Sequence, residues 1–322
     1  NIGVETESLF GGAITDAVEA QRLLKYNIDN LSAIMDEVKV DTTLNVLRYE
    51  KDSEGKSISS AVSMGLGIVM TFILYMFLLM YGQMVMTSII EEKNNRVLEL
   101  VVSSVKPTQL MLGKILGVGL VAVVQIVIWA VLMCMVSGLL LPMLIPAEMS
   151  EQISMFNAGS YNAATSTIDP ETVKAMAMFT SVGYIAKIFL YLLLFLVGGF
   201  LFYASIFAAI GSAVDNVQDA SQLQTFAILP IILAFLFSLS IANNPNGSAA
   251  VWMSMIPFTS PMVMLSRIAF DVSGWQIWVS LIILYASFVG MAWISGKIYR
   301  VGIFMYGKKP NIKDLIRWAR YK

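Results

Sequence analysis

Residues 68–90 read IVMTFILYMFLLMYGQMVMTSII, and the charged sequence EEKNNRVLE follows directly at positions 91–99. The first stretch carries no charged side chain and exceeds the ~20 residues that a helix needs to cross a bilayer. Four further uncharged stretches approach or exceed that length, at 115–141, 188–210, 223–241 and 275–294. Backbone groups in lipid must be hydrogen-bonded within the segment, and no alternating barrel pattern occurs, so the sequence predicts spanning helices.

The composition agrees with a membrane protein and excludes several classes of enzyme. The chain is 57% hydrophobic and 13% charged, whereas soluble domains carry about a quarter charged residues. It has no histidine and a single cysteine, Cys134, which excludes histidine metal sites, Ser-His and Cys-His nucleophiles, and an intrachain disulfide. A membrane-embedded enzyme is therefore hard to build, although sites based on Asp or Glu stay open as an alternative. We expect no cofactor in this chain, and contact with membrane lipid and not with nucleic acid.

The charged sequence at 91–99 has a helical pattern. On a period of 3.6 residues Glu92, Arg96 and Glu99 share one face. Glu92 precedes Arg96 by four residues, the favourable order for an ion pair on a helix. The pattern leaves two interpretations open: a solvated turn at the membrane surface, or a polar helix that carries force from a soluble partner to the spans.

A sixth uncharged stretch, 249–266, is shorter and contains Pro257 and Pro261. Two prolines four residues apart remove backbone donors and would break a single spanning helix. The sequence therefore predicts a re-entrant hairpin at 247–270, surrounded by protein and not by lipid.

These patterns predict an all-α polytopic membrane protein, with five spanning helices, a re-entrant helical hairpin and part of an extracytoplasmic domain. The membrane domain is predicted at 58–322, with spans near 62–90, 111–141, 182–210, 222–242 and 275–296. Residues 1–57 are interpreted as the end of the extracytoplasmic domain. Since they begin with Asn1 and contain no apolar run to carry them across, we expect a further span upstream, six in all.

The charges also predict the orientation. The tail at 297–322 has eight basic residues against one acid, Asp314, so the positive-inside rule places it in the cytoplasm of a bacterial-type inner (plasma) membrane. Counting back through five spans places the charged segment at 91–114 inside, and both 1–57 and 142–179 outside. A complete sixth span at 249–266 would reverse every one of these assignments.

The tail itself has the pattern of a short amphipathic helix after Pro310. Ile312, Leu315, Ile316 and Ala319 form its apolar face, with Trp318 at the boundary. We expect this helix to lie on anionic lipid at the inner membrane surface.

Three ionisable residues are candidates for a transport path. Lys187 lies at the outer end of the third predicted span, where a charge is either functional or reaches the headgroups along its aliphatic stem. Asp215 and Asp219 are one helical turn apart between the third and fourth spans. They are candidates for cation binding, helix capping or contact with a partner, and the alternative for both is a solvated turn.

Two segments resemble ABC type-2 transporter permeases. One contains EEKNNR at 91–96, LE at 98–99, SSVKP at 103–107 and LGK at 112–114. The other is IPFTSP at 256–261, followed by Met264 and Arg267, which looks like the extracellular hairpin of that family. The resemblance covers about 58–322, and the external domain points to the sodium-exporting, NatB-like group.

The resemblance implies a mechanism with two partners. Two permeases would form a homodimer or related heterodimer, and each would bind one soluble ATPase subunit through helix 91–104. It assigns coupling to Glu91, Glu92, Lys93, Arg96 and Glu99, and the outer gate to Pro257, Phe258, Thr259, Ser260, Pro261 and Arg267. The chain has no phosphate-binding loop, so ATP and magnesium are expected in the partner.

The resemblance leads us to expect the membrane subunit of an ATP-driven exporter. Sodium as the substrate rests on the subgroup resemblance alone, and export of drugs, peptides or lipid-like molecules is the alternative. An ATP-independent channel or secondary transporter would require ionisable residues at the bilayer midplane, which the spans lack.

Overall fold

The computed structural model describes residues 60–95, 104–158, 170–241, 244–270, 272–307 and 310–320, with isolated positions 13, 14, 17, 18, 21, 160 and 168. The helices are α1 (Ser60–Asn94), α2 (Pro107–Met135), α3 (Leu141–Leu144), α4 (Ala147–Asn157), α5 (Pro170–Thr180), α6 (Val182–Ala213), α7 (Val217–Ile241), α8 (Ser248–Met253), α9 (Ser260–Ile268), α10 (Gly274–Gly302) and α11 (Ile312–Ala319). A π-helical turn, Val136–Leu140, joins α2 to α3.

The fold class predicted from the sequence is confirmed. No strand occurs in the described ranges, and five helices are long and apolar enough to cross a membrane: α1, α2 with its continuation to Leu144, α6, α7 and α10. The predicted external domain at 1–57 lies outside the described residues, apart from the isolated helical positions between 13 and 21.

Helix α6 is the centre of the bundle. It packs most extensively against α1 and α10, and also contacts α2, α7 and α9. Its small residues permit this close packing, as is usual between helices in lipid. A methyl group on Gly211 would lie 2.7 Å from the Met86 carbonyl oxygen, and one on Gly198 would lie 2.8 Å from Leu284 Cδ2.

Helix α1 is longer than the predicted span. It continues without a break through Glu91 to Asn94, so the first four residues of the predicted coupling helix are the end of α1. Residues 96–103 lie outside the described residues, and Lys106 is extended before α2 begins at Pro107. Proline fits this position because the first helical turn needs no N–H donor there.

Helices α4 and α5 form a small helical unit between the second and third spanning helices. Helices α4 and α5 pack on each other through Ile153, Val173 and Ala177. The sequence pattern indicated only a loop here, because neither helix is long or apolar enough to resemble a span.

The tail helix α11 packs on the protein with Ile312, Leu315 and Ala319 of the predicted apolar face, joined by Trp318 in place of Ile316. Trp318, expected at the boundary, is only 7% exposed and packs against Ala209, Ala213 and Ile298. Ile316, expected on the apolar face, is 51% exposed. The helix therefore turns its indole ring towards α6 and α10, because that ring buries more apolar area than the Ile316 side chain.

Candidate functional site

Lys93 is buried where three helices end. Its side chain is 0% exposed, and its Nζ lies 3.0 Å from Asp215 Oδ1. The same ammonium donates hydrogen bonds to the carbonyl oxygens of Ser212, at 2.9 Å, and Gly302, at 3.0 Å. One cation thus joins the end of α1 to the last residues of α6 and α10, and we call Lys93, Asp215, Ser212 and Gly302 the Lys93 cluster.

The Lys93 cluster requires close backbone approach. A methyl group on Gly302 would lie 2.8 Å from the Ser212 carbonyl oxygen, so only glycine lets the two carbonyl groups converge on one ammonium. Asp215, 27% exposed, also accepts a hydrogen bond at 2.6 Å from the Gly307 N–H through its Oδ2. The carboxylate therefore bridges Lys93 to the segment that leads into the tail.

A second ion pair joins α1 to α2 beside the Lys93 cluster. Lys114 Nζ lies 2.5 Å from Glu92 Oε2 and 3.3 Å from the Ser88 carbonyl oxygen. The sequence predicted Arg96 as the partner of Glu92, but Arg96 lies outside the described residues. The pair with Lys114 joins the end of α1 to the start of α2, on either side of residues 96–103, which lie outside the described residues.

The predicted coupling residues have different surroundings. Glu91 is exposed, Glu92 is half-buried and Lys93 is fully buried. Glu99, like Arg96, lies outside the described residues. Lys93 consequently presents no surface to a docking partner, and its contacts are with the permease itself.

The three candidate path residues do not form one site. Lys187 is exposed near the start of α6, whereas Asp215 and Asp219 lie beyond its other end. At 1.5 Å per helical residue, Lys187 and Asp215 are roughly 40 Å apart along the bundle. Asp219 is in the first turn of α7, where its N–H donates to Asn216 Oδ1 at 2.9 Å.

Arg267 is the centre of a second cluster, near the start of α10. It is completely buried and donates from Nε to the Pro245 carbonyl oxygen at 2.7 Å. Its Nη1 donates to Ser254 Oγ at 2.6 Å, and its Nη2 donates to Gln276 Oε1 at 2.7 Å. Burial lowers the pKa of the guanidinium to about 10, so it stays charged at neutral pH. The planar guanidinium holds three segments in fixed relative positions.

The predicted hairpin consists of α8, a turn and α9, and its tip reaches the middle of the bundle. Pro257 is in the turn and Pro261 is in the first turn of α9. The Tyr203 hydroxyl of α6 donates to the Phe258 carbonyl oxygen at 2.5 Å. Thr259 Oγ1 donates to the Met253 carbonyl oxygen at 2.5 Å, which closes the turn on itself.

Helix α9 packs closely against glycines on two spanning helices, α1 and α6. A methyl group on Gly67 of α1 would lie 2.8 Å from the Ser266 carbonyl oxygen, and one on Gly199 of α6 would lie 3.0 Å from Pro261 Cβ. Ser260, at the start of α9, is completely buried, and its Oγ has no hydrogen-bond partner among the described residues. The hairpin is thus tightly seated between α1 and α6.

The sequence pattern missed three of the partners at these sites. They are Lys114, which pairs with Glu92, Gln276, which accepts from Arg267, and Tyr203, which holds the tip of the hairpin. A tyrosine hydroxyl within an uncharged run needs a hydrogen-bond partner, and that is a signal that sequence reasoning can use.

A comparison with protein families shows which family this chain belongs to. The model of the ABC-2 family transporter protein matches residues 6–297. The chain belongs to the ABC-2 transporter family.

Two relatives are similar to this ABC-2 permease over most of its length. The uncharacterized protein YhaP of Bacillus subtilis is 28% identical over 263 residues, 80% of this chain and 56% of its own. The uncharacterized protein MJ1024 of Methanocaldococcus jannaschii is 28% identical over 312 residues, 94% of this chain and 66% of its own. The permease chain thus spans less than two thirds of either relative. No solved structure matches it.

The relatives' names give no substrate, so they do not support assignment to the sodium-exporting, NatB-like group. Among the described residues of this ABC-2 permease, no three His, Cys, Asp or Glu side chains form a group that could hold a metal ion. In both clusters, around Lys93 and around Arg267, a buried cation donates hydrogen bonds to other segments of the bundle.

Proposed function

We propose that this permease is the membrane subunit of an ATP-driven exporter, powered by a separate soluble ATPase that docks on the segment 91–104. ATP and magnesium would be bound by that partner, with one copy on each of two permeases in a homodimer or related heterodimer. The family supports the transport role, and the contacts around Lys93 support the route by which force enters the spans.

The burial of Lys93 carries the proposal. A push on the segment 96–103 moves the end of α1, and Lys93 ties that end to the carbonyl groups of Ser212 and Gly302. Movement would then pass to α6 and α10 together, because a buried ammonium with three partners cannot exchange them for water. The exposed Glu91 at the same end would face the ATPase.

The topology proposed from the charges suits this role. The end that carries Lys93 and the basic tail would face the cytoplasm of an inner (plasma) membrane, with 1–57 outside. The hairpin at the other end would be the outer gate. Arg267 would hold its base, and Pro257 and Pro261 would shape a tip that lies against Tyr203 in the middle of the bundle.

Two classes of substrate are proposed, the sodium ion and a lipophilic molecule. Sodium follows from the subgroup resemblance of the sequence. A lipophilic substrate, such as a drug or lipid-like molecule, is favoured by one observation, a cavity of about 640 Å³ between α1, α2, α5 and α6. Its walls include Leu66, Ile73 and Trp129 and are almost wholly apolar, which suits an apolar guest and not a hydrated cation.

Transport by the full-length permease, reconstituted in proteoliposomes with its ATPase, tests this function. We expect ATP-dependent flux that is lost when Glu92 and Arg96 are both reversed in charge, while membrane insertion is unchanged. Glu148→Arg, an exposed reversal on α4, is the matched control and should transport normally. Normal flux in the doubly reversed variant, or flux without any ATPase, would refute the proposal.

Stimulation of ATP hydrolysis separates the two substrate classes. Sodium, apolar drugs and peptides would each be added to the reconstituted complex. A filled cavity variant, Gly65→Trp, should abolish stimulation by lipophilic compounds, because Gly65 lines the cavity and no atom lies within 4 Å of its added Cβ. Sodium stimulation that survives this variant would favour the ion, and unchanged drug stimulation would exclude this cavity as the substrate site.

A further inference from the structure

A groove between α2 and α10 lies at the end of the bundle that carries Lys93. It has a volume of about 540 Å³, within the ~300–1,000 Å³ typical of small-molecule sites. Its walls are apolar over most of their length, with Leu112 from α2 and Phe288 and Val289 from α10. The helices meet beside it at Gly296, where a methyl group would lie 2.9 Å from Thr108 Cγ2.

Two cations stand at the mouth of this groove. Lys297 and Arg300 are one helical turn apart on α10, and both line it. The Lys297 ammonium lies 4.0 Å from the centre of the Trp293 ring, a cation–π contact that holds the charge over the apolar wall.

The groove is therefore complementary to an anionic amphiphile, because it has cations at one end and apolar walls along its length. Its outer rim is exposed, with Trp293 62% exposed and Val289 similarly open to the membrane. Tryptophan and lysine are the residues that mark the headgroup level of a bilayer. A ligand can enter sideways from the lipid without crossing the bundle.

We propose that this groove binds a phospholipid with an anionic headgroup. Lys297 and Arg300 bind the phosphate, and an acyl chain lies along Phe288, Val289 and Leu112. Basic pockets between spanning helices on the cytoplasmic side recognise such lipids through charge at the headgroup and burial of the chain. The bound lipid contacts both α2 and α10 and so stabilises their packing next to the Glu92–Lys114 pair.

Lipid retention by the purified full-length permease tests this site. Native mass spectrometry would count molecules of phosphatidylglycerol, or of neutral phosphatidylcholine, retained after a titration in detergent. We expect phosphatidylglycerol to bind at least tenfold more tightly than phosphatidylcholine. The double variant Lys297→Gln/Arg300→Gln should remove this preference.

Two further variants separate the site from general surface charge. Lys313→Gln/Arg317→Gln removes the same number of charges from the exposed part of α11 and should change binding less than twofold. Val289→Trp keeps both cations but fills the exposed groove and should weaken binding of the lipid at least fivefold. Glycerol 3-phosphate, which lacks the chains, should not displace the lipid.

Several outcomes would overturn the proposal. Equal losses in the groove variant and the α11 variant would show diffuse attraction to the surface. Displacement by glycerol 3-phosphate would show a site for a small anion. Retention of no phosphatidylglycerol by the natural protein would show that another protein segment or a second copy covers the groove.

Discussion

The Lys93 ammonium lies 3.0 Å from the Asp215 carboxylate, and Lys93 is completely buried while Asp215 is 27% exposed. This unequal burial makes the two ends of the pair respond differently to mutation. When the Asp215 carboxylate is removed, the Lys93 ammonium still donates hydrogen bonds to the carbonyl oxygens of Ser212 and Gly302. When Lys93 is removed instead, both carbonyl groups lose their donor in a site closed to water.

Lys93→Ala should therefore destabilise the permease more than Asp215→Asn. We expect Lys93→Ala to lower the free energy of unfolding by about 3 kcal/mol, and Asp215→Asn by about 1 kcal/mol. Thermal unfolding in detergent measures both. Equal effects would show that the carbonyl bonds contribute nothing beyond the ion pair.

Mutations of Glu92 and Lys114 should have coupled effects on stability. Glu92 is near the surface, so the coupling energy between the two side chains is expected to be only about 1 kcal/mol. Each single reversal, Glu92→Lys or Lys114→Glu, should lower the unfolding temperature of the permease in detergent, and the double swap should recover most of the loss. A double swap as poor as the singles would contradict the pairing.

Glu91 provides a probe of the proposed docking surface that disturbs no buried contact, because it is exposed at the end of α1. Glu91→Arg should reduce co-purification of the ATPase several-fold without changing the unfolding temperature. Glu151→Arg, exposed on α4 at the other end of the bundle, is the control and should have no effect. Unchanged co-purification of Glu91→Arg would remove this residue from the docking surface.

The packing of the hairpin against α1 can be tested at two glycines of α1 that have different surroundings. Gly67→Ala places a methyl group 2.8 Å from the Ser266 carbonyl oxygen, whereas Gly65→Ala meets nothing within 4 Å. We expect Gly67→Ala to destabilise by about 1–3 kcal/mol and Gly65→Ala to be neutral or to stabilise by up to about 1 kcal/mol. Similar unfolding temperatures for the two variants would show that α9 is not tightly held against α1.

Arg267→Lys should not preserve the hairpin, although it preserves the charge. An ammonium cannot reach Pro245, Ser254 and Gln276 in the planar geometry of the guanidinium. We expect a loss of about 2 kcal/mol or more, since buried acceptors lose their donors. Faster labelling of a cysteine placed at Phe258 would report the loosened tip, and native-like labelling would contradict this role.

The sequence predicted the spans well because a spanning helix is a local property. An uncharged run of about 20 residues must become a helix in lipid, whatever its neighbours. The break at Pro257 and Pro261 is local in the same way, since proline removes the donor from its own turn. The tail was predicted less well, because helical periodicity indicates a face but not whether lipid or protein covers it.

The charged residues at the end of α1 show where local patterns stop being informative and helix packing takes over. The uncharged runs of the sequence predict the fold class, and they place the end of the first span at residue 90, directly before Glu91, Glu92 and Lys93. Only the packed bundle decided that Lys93 turns inward to Asp215, 122 positions later by their numbers. Such a pairing depends on which helix ends come together. That choice is made by a small net free energy summed over contacts between residues far apart in the sequence, which no local pattern reveals.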